Sequence, residues 1–311
     1  ISATWKYGTG AGASRLAGGN HPLFDEFEQR IAAHKGYEAA CVFGSGYLAN
    51  IGVIQALVGK GDVVLADKLV HACIIDGVRL SGAKLVRFKH NDVADARRKV
   101  QGAKLIITEE IFSMDGDFAP LAELATLGVP LMVDGAHSLY QQAASGGQRA
   151  EIYIGTMSKA LGSYGGYVCG SKTFIEYIKT TARSLIYSTA LSPCAVAAAI
   201  AALDIIEAKK PYEKTLENVR YFLELQNFRT SELRKQSEVL KFRSSIIPII
   251  LGTEDAALAA EKYLYANSIL VSAIRPPTVP KGTSRLRVSI TANHTKQDLD
   301  CLHSHIKNFG L

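Results

Sequence analysis

Up to Ser171 of the 311-residue chain, short apolar runs with strand character alternate with amphipathic helical patterns. Alternation of this kind predicts an α/β fold with a mostly parallel sheet, because helices usually connect parallel strands. The predicted strands are Ala39–Phe43, Val63–Ala66, Lys84–Phe88, Lys104–Thr108, Leu131–Asp134, Ile152–Gly155 and Gly166–Cys169. The predicted helices are Pro22–His34, Leu48–Val58, His71–Leu80, Asp92–Val100 and Leu121–Leu127.

Beyond Ser171 the pattern changes to longer helical stretches with fewer strands between them. We therefore predict a large domain over residues 1–205 and a smaller C-terminal α+β domain over residues 206–311. The helices predicted here are Thr173–Arg183, Pro193–Ala208, Tyr212–Gln236, Ala256–Ala266 and Lys296–Lys307. The strands predicted here are Ile246–Ile250, Ile269–Ala273 and Arg285–Ile290.

Charge and cysteine usage argue against several classes of protein. The net charge of +6 is scattered, and no run of five or six basic residues indicates a nucleic-acid tail. No apolar stretch reaches the roughly 18–20 residues of a membrane span. The cysteines are odd in number, widely spaced and without a CxxC pair, which argues against a metal site and for the reducing cytoplasm. They are Cys41, Cys73, Cys169, Cys194 and Cys301.

Lys159 is the most informative single residue. It follows a predicted buried strand, with hydroxyl side chains at Thr156 and Ser158, and Glu151 is the only other charged residue between Ala150 and Val168. These surroundings predict a desolvated lysine, whose pKa is depressed and whose amine can form a Schiff base. A pyridoxal phosphate enzyme needs such a lysine, a phosphate cradle and a carboxylate facing the pyridine nitrogen.

The chain has candidates for the other two requirements. The turn at Gly46 and Tyr47 joins a strand to a helix and leaves backbone N–H groups for an anion such as phosphate. Asp134 and His137 follow the carboxyl end of another strand, where open parallel sheets bind ligands. A plain strand–helix turn and a capping aspartate are the structural alternatives.

Further candidates lie at the edges of other elements. His71 opens a helical pattern and could cover one face of a cofactor ring, or could simply cap the helix. Ser113 follows the strand that ends near Thr108. Arg275 stands in a proline-rich loop and could clamp a carboxylate through a bidentate pair. An ordinary loop serine and a solvated arginine are the alternative interpretations.

The segment Gly8–Ala13 leaves a different activity open. It satisfies the loose G-x-G-x-x-A pattern of nicotinamide-dependent oxidoreductases. That pattern belongs between a strand and a helix, yet no convincing strand precedes Gly8, and the next helical pattern begins only near Pro22. A flexible glycine loop is the alternative.

Taken together, these segments resemble the α-oxoamine synthases, a pyridoxal phosphate family with the fold-type I architecture of aspartate aminotransferase. The resemblance extends over nearly the whole chain and implies a large cofactor-binding domain and a small C-terminal domain. The segments that carry it are Gly8–Leu23, Ser45–Asn50, Thr108–Gly116, Val133–His137 and Thr156–Ala160.

The resemblance implies a role for each matching residue. Lys159 would hold the cofactor as a Schiff base, Asp134 would pair with the ring nitrogen, and His137 would pair with the phenolic oxygen. His71 would stack on the ring and contact the substrate, which Arg275 and Thr278 would also bind. Ser188 and Thr189 would reach the phosphate of a neighbouring subunit, which implies a homodimer. The further cofactor-binding residues are Gly46, Tyr47, Ser113 and Thr156.

The family condenses an amino acid with an acyl thioester and releases carbon dioxide. The loop Ile274–Pro280 is most similar to members that join L-alanine to a pimeloyl thioester, carried by coenzyme A or a carrier protein, in biotin biosynthesis. A sister activity that uses glycine with acetyl- or succinyl-coenzyme A is the alternative. A non-catalytic partner subunit is a second alternative, although such subunits typically lack the lysine.

The chain departs from the family pattern at three places. The family's N-terminal segment does not precede Ile1, and we expect it to be missing from this sequence. The stretch 138–150 is short and lacks the usual glycine-rich loop. Gly135 stands where the family often has a second aspartate.

Overall fold

The computed structural model describes residues 1–139, 150–226 and 244–310. Its contacts divide the chain into two compact units. The first contains residues 1–112 and 118–205, and the second contains residues 113–117 and 206–311. Most of the predicted short stretch 138–150, and the predicted helix Tyr212–Gln236 beyond residue 226, lie outside the described residues.

The first unit is built on a seven-stranded sheet with the order β1-β7-β6-β5-β4-β2-β3. Strands β2 to β6 pair in parallel, whereas β7 runs antiparallel to both β6 and β1. The prediction of an α/β fold with a mostly parallel sheet is therefore confirmed. The strands are β1 Ala39–Phe43, β2 Val63–Asp67, β3 Lys84–Phe88, β4 Leu105–Glu109, β5 Leu131–Asp134, β6 Ile152–Thr156 and β7 Gly166–Gly170.

Strands β4 to β7 are buried at every position, which is typical of strands covered on both faces. Helix α3 packs against this core with Ala49, Val53 and Ile54 fully buried. The helices of the first unit are α1 Ser2–Tyr7, α2 Pro22–Lys35, α3 Gly46–Leu57, α4 Ala72–Ser81, α5 Val93–Lys99, α6 Leu121–Ala125, α7 Lys172–Thr181 and α8 Arg183–Ile186, and α9 Pro193–Lys209 crosses into the second unit.

One predicted helix is interrupted. The sequence predicts a single helix over Thr173–Arg183, but α7 ends at Thr181 and α8 begins at Arg183. Between them Ala182 has an extended backbone (φ −71°, ψ 105°) and a fully buried side chain. Periodicity did not reveal the break, because alanine itself favours helix.

The second unit has a three-stranded antiparallel sheet with the order β8-β10-β9. Its core includes Phe222, Leu286 and Leu299. The predicted strand Ile269–Ala273 starts later, because the Ile269 N–H instead caps the preceding helix at the Leu264 carbonyl, 2.9 Å away. The elements are α10 Pro211–Leu225, β8 Ile246–Gly252, α11 Glu254–Ala266, β9 Ser272–Ile274, β10 Ser284–Ser289 and α12 Lys296–Asn308.

Two arginines of β10 explain why the short segment 113–117 belongs to the second unit. Arg285 forms an ion pair with Asp115, and Arg287 Nε donates a 2.5 Å hydrogen bond to the Ser113 carbonyl. The segment thus follows strand β4 in sequence but is bonded to strand β10.

Candidate active site

The carboxyl ends of several strands bring polar side chains to one edge of the large sheet. Glu109 at the end of β4 lies opposite Asp134 at the end of β5, and Asp134 lies opposite Ile154 of β6. Thr156 at the end of β6 pairs with Gly166, which also pairs with Phe43 at the end of β1. This edge is the position where open α/β sheets bind ligands.

Asp134 is buried and its carboxylate is fixed on both oxygens. Oδ1 accepts the Ala136 N–H at 2.9 Å, and Oδ2 accepts the side-chain amide of Asn50 at 2.8 Å. The same amide donates to the Gly46 carbonyl at 3.1 Å, so Asn50 links the carboxylate to the start of α3. The remaining lone pairs of the two oxygens are available for a cationic N–H partner.

Lys159 and His137 meet at this edge, with 3.0 Å between Nζ and Nε2. Lys159 stands in the connection Met157–Gly165 between β6 and β7. The Met157 N–H donates to the Gly165 carbonyl at 3.0 Å, and the Ser163 N–H donates to the Met157 carbonyl at 2.9 Å. The prediction of a desolvated lysine is wrong for this chain, in which Lys159 is exposed. The burial ends with Met157, and the lysine follows in a turn.

The start of helix α3 forms a cradle of hydrogen-bond donors that suits an anion. Ser45 caps the helix by accepting the Leu48 N–H at 3.1 Å, which leaves the N–H groups of Gly46 and Tyr47 in the uncapped first turn. A Cβ on Gly46 would lie 3.7 Å from Thr156 Oγ1. That hydroxyl is in turn 2.8 Å from Ser158 Oγ. Backbone amides and two hydroxyls therefore surround a position at the positive end of a helix.

Gly166 is required for this arrangement. A Cβ at that position would approach the Gly46 nitrogen and the Ser45 carbonyl carbon to 2.4 Å. A larger residue would displace the first turn of α3 from the sheet edge. Glycine thus sets the depth of the cradle through close backbone contact rather than through an unusual dihedral angle.

His71 caps helix α4 and is exposed. Its Nδ1 accepts the Cys73 N–H at 3.2 Å, so a neutral ring carries its proton on Nε2. The His71 N–H donates to Glu109 Oε1 at 2.7 Å. Burial first, and then the nearby Asp134 carboxylate, raise the pKa of Glu109 above its ordinary value.

Tyr47 is held at the rim of the cradle. Its hydroxyl donates a 2.9 Å hydrogen bond to Asp76 Oδ2, and this bond raises the pKa of the phenol. The residue is 44% exposed. Tyr47 is thus positioned from helix α4 as well as from α3.

Ser188 and Thr189 lie in the connection between α8 and α9, well beyond Lys159 in the chain. They line a small cavity together with Arg15, Phe24 and Ser184. Ser188 Oγ is 3.4 Å from the Thr189 carbonyl. Their role toward a neighbouring subunit stays a prediction.

The remaining predicted residues belong to the second unit. Arg275 directly follows strand β9, and the Thr278 N–H donates to the Arg275 carbonyl at 3.0 Å, which closes a turn. Both side chains are exposed. Ser113 is fixed through its carbonyl by Arg287, so its role as a cofactor ligand, like the substrate roles of Arg275 and Thr278, stays a prediction.

Two residues of the site were missed in the sequence. Asn50 is a polar side chain within the largely apolar helix α3, four residues after Gly46 and therefore on the same face. Glu109 ends an apolar strand just as Asp134 does. The sequence therefore shows two polar residues at unusual positions. Their role in the site becomes clear only once the neighbouring strands are known.

The nicotinamide alternative lacks its structural context. Gly8 follows helix α1 rather than a strand, and a 3₁₀ turn at Arg15–Ala17 comes next. The strand–turn–helix unit that this glycine pattern requires is therefore absent at Gly8–Ala13.

Across the described part of the chain, no group of three or more metal-binding side chains is found. Within those same residues, no helix has both the length and the apolar character needed to cross a bilayer. All five cysteines are free thiols.

Sequence similarity to one enzyme family extends over nearly the full length of the chain. The family model for aminotransferase class I and II matches residues 3–306. The 8-amino-7-oxononanoate synthase of Beijerinckia indica subsp. indica is 45% identical over 318 residues, covering 96% of this chain and 80% of that protein.

Two solved structures have the same fold. The 8-amino-7-oxononanoate synthase of Francisella tularensis is 30% identical with a TM-score of 0.80, covering all of this chain and 92% of that one. A structure of serine palmitoyltransferase with the internal aldimine of pyridoxal phosphate is 31% identical with a TM-score of 0.90, covering 99% of this chain and 81% of that one.

Proposed function

This chain belongs to the class I and II aminotransferase family, and on that premise we propose that it condenses L-alanine with a pimeloyl thioester to give 8-amino-7-oxononanoate. The reaction is a decarboxylative acyl transfer that depends on pyridoxal phosphate. The observation that carries this proposal is the meeting of Asp134, His137 and Lys159 at one sheet edge beside the start of helix α3. The similarity to named synthases supports the choice of product.

The fold class predicted from the sequence, fold-type I of the pyridoxal phosphate transferases, is confirmed. The family match and the solved neighbours extend over essentially the whole chain, and the order of the seven strands is part of that shared fold. The fold alone leaves the reaction open, because one fold supports many chemistries.

The residues present fit pyridoxal phosphate in the chemistry of their donor set. The cradle at Gly46 offers amide and hydroxyl donors to a phosphate. Asp134 offers a buried anionic acceptor to a protonated ring nitrogen, and Lys159 offers a primary amine to an aldehyde. The buried Oδ1 of Asn50 has no hydrogen-bond partner among the described residues.

When bound, pyridoxal phosphate supplies an electron-accepting ring that stabilises the negative charge left at the α-carbon of the amino acid. Asp134 would hold the protonated ring nitrogen through its carboxylate. Lys159 would hold the cofactor through its amine, and the same amine would move the α-proton of the substrate. His137, whose Nε2 lies 3.0 Å from the lysine amine, would pair with the phenolic oxygen. His71 would cover the ring and contact the substrate.

The substrate side of the proposal rests on the second unit. Arg275 binds the carboxylate of alanine through its planar guanidinium, and Thr278 lines the same position. Ser188 and Thr189 bind the phosphate of a second copy, so the active enzyme is a homodimer. The five free thiols fit a reducing compartment, and we place the enzyme in the cytoplasm.

A thiol-release assay tests the activity directly. Purified enzyme loaded with pyridoxal phosphate is incubated with alanine, glycine or serine against pimeloyl, acetyl or succinyl thioesters. We expect the highest kcat/KM for alanine with the pimeloyl thioester, and mass spectrometry should identify 8-amino-7-oxononanoate as the product. A preference for glycine with a short thioester would contradict the proposal and support the sister activity.

A further inference from the structure

The hydroxyl group of Tyr153 is the centre of a buried polar network. It lies 2.9 Å from Lys35 Nζ, 2.9 Å from Glu110 Oε2 and 2.8 Å from Ser138 Oγ. Lys35 also donates to the Ser138 carbonyl at 2.5 Å, and Ser138 Oγ donates to Glu110 Oε2 at 2.5 Å. The four side chains are each at most 5% exposed.

This network joins three elements to one turn. Lys35 ends helix α2, Glu110 follows strand β4, and Tyr153 lies on strand β6. All three converge on Ser138, which closes the turn that begins at Asp134 by donating its N–H to the Gly135 carbonyl at 3.0 Å. A buried amine and a buried carboxylate are costly unless each is hydrogen-bonded. The Lys35 amine and the Glu110 carboxylate therefore both depend on the hydrogen bonds that they make around this turn.

Gly135 leaves room in the turn for the phenol of Tyr153. A Cβ at position 135 would lie 1.8 Å from the Tyr153 hydroxyl oxygen and 2.1 Å from its ring carbon. The phenol thus fills the space that any side chain at position 135 would need. A tyrosine at position 153 therefore requires glycine at position 135.

We propose that Tyr153, together with Lys35 and Glu110, is a positioning device for the active site, which holds the turn Asp134–Ser138 from beneath. It fixes the carboxylate of Asp134 and the imidazole of His137 at the spacing that the cofactor ring requires. The inference rests on the proposed function, because the ring is what these two side chains are to meet. None of the three residues is itself placed in contact with cofactor or substrate.

The charges of the network are consistent with this role. Burial lowers the pKa of Lys35 to about 8, and the Glu110 carboxylate opposes that effect. Burial likewise raises the pKa of Glu110, which Lys35 opposes. Each charge thus stabilises the other directly, and the Tyr153 hydroxyl is a hydrogen-bond partner of both, so its removal leaves both with fewer partners.

The test compares three purified enzymes loaded with pyridoxal phosphate, the wild type, Tyr153→Phe and the control Tyr167→Phe. Tyr167 is a second buried tyrosine, on strand β7. Burial first, and the charges of Glu110 and Asp134 as well, raise its pKa, but among the described residues no hydrogen bond joins its hydroxyl to the turn. For Tyr153→Phe we expect kcat to fall between about tenfold and 100-fold with little change in KM, because a small displacement of catalytic groups has effects of that size. We also expect the midpoint of the pH titration of the visible cofactor band to shift by about half a unit or more.

The band titration separates positioning from mere stability, because a loss of folded protein would lower its amplitude without moving its midpoint. A wild-type midpoint and kcat in Tyr153→Phe would overturn the inference, as would equal changes in Tyr167→Phe. If Tyr153→Phe does not fold, Glu110→Gln replaces it, and the same two readings decide in the same way. A wild-type protein without any cofactor band would overturn the proposed function and this inference with it.

Discussion

The side-chain amide of Asn50 donates a 2.8 Å hydrogen bond to Oδ2 of Asp134. The two residues are distant in sequence, since one lies in helix α3 and the other ends strand β5. The bond ties the carboxylate that should face the cofactor ring to the helix whose first turn should hold the phosphate. One residue thus sets the spacing between the two ends of the proposed cofactor site.

Asn50→Leu removes this donor with little change in volume. Without this bond the carboxylate is no longer held toward the ring, so we expect the affinity for pyridoxal phosphate to fall about tenfold or more, the size of one hydrogen bond to a charged group. Fluorescence titration of the apoenzyme measures this. Gln55→Leu, in the same helix, is the control and should bind the cofactor like the wild type. Unchanged affinity in Asn50→Leu would show that Asp134 is held without Asn50.

Lys159→Ala should abolish the cofactor's visible band and lower kcat at least about 1,000-fold, because the variant loses the amine beside His137 that is proposed to hold the cofactor. The measurement is borohydride reduction of the loaded protein followed by peptide mass spectrometry. Lys172→Ala, at an exposed position in α7, should still give the adduct at residue 159. A borohydride-reducible cofactor adduct that persists on another residue in Lys159→Ala would refute the assignment.

Asp134→Asn should retain the cofactor but slow the exchange of alanine's α-proton by about 100-fold or more, because the ring nitrogen loses its anionic partner. Whichever way the new amide is turned, its NH2 group meets a donor, either the Asn50 amide or the Ala136 N–H. Proton NMR in deuterated buffer follows the exchange. Exchange at the wild-type rate would be incompatible with the role given to Asp134.

Glu109→Gln should change how stability depends on pH. Burial raises the pKa of Glu109 above its ordinary value of 4.5, so the folded chain binds a proton that the unfolded chain has released. The stability due to this group therefore falls as pH rises above 4.5 toward the raised pKa. Glutamine keeps an acceptor for the His71 N–H but does not titrate.

We therefore expect the Tm of Glu109→Gln, relative to wild type, to increase between about pH 5 and about pH 7 by about 2–4 °C. Differential scanning calorimetry of the apoprotein measures this. Glu123→Gln, at an exposed position in α6, provides the baseline and should follow the wild type. If the Tm of Glu109→Gln and that of the wild type change with pH in parallel, Glu109 has the same pKa in the folded and the unfolded chain.

Gly135→Ala should destabilise the protein by about 1–3 kcal/mol, because its Cβ would overlap the Tyr153 phenol. Urea unfolding gives the change. Gly59→Ala, whose Cβ would meet its nearest neighbour only at 4.0 Å, is the matched control. Equal stability of the two variants would show that the turn can move away from the tyrosine.

Much of the fold and part of the site were predictable from the sequence, for identifiable physical reasons. Continuous apolar runs mark strands β4 to β7 of the large sheet, since strands buried on both faces leave few other compositions possible. Lys159, Asp134 and the Gly46 turn could be recognised because each directly follows such a run.

What the sequence did not reveal depends on which elements are neighbours. Asn50, Glu109 and Tyr153 act through partners from other strands and helices, and no local pattern names those partners. The exposure of Lys159 was missed because a stretch with few charged residues was interpreted as buried, whereas the residues after Met157 form a turn. The break at Ala182 depends on packing in the core rather than on local propensity.

Strand β7 runs against its neighbours, and so the chain that leaves the site edge after Thr156 must return to that edge at Gly166. The lysine is carried between two anchored ends, and the number of residues between them decides where its amine can reach. An inserted or deleted residue in Met157–Gly165 would displace the amine even if every side chain were kept. Among relatives, we expect changes in chain length to accumulate in connections at the far edge of the sheet and to be excluded from this one.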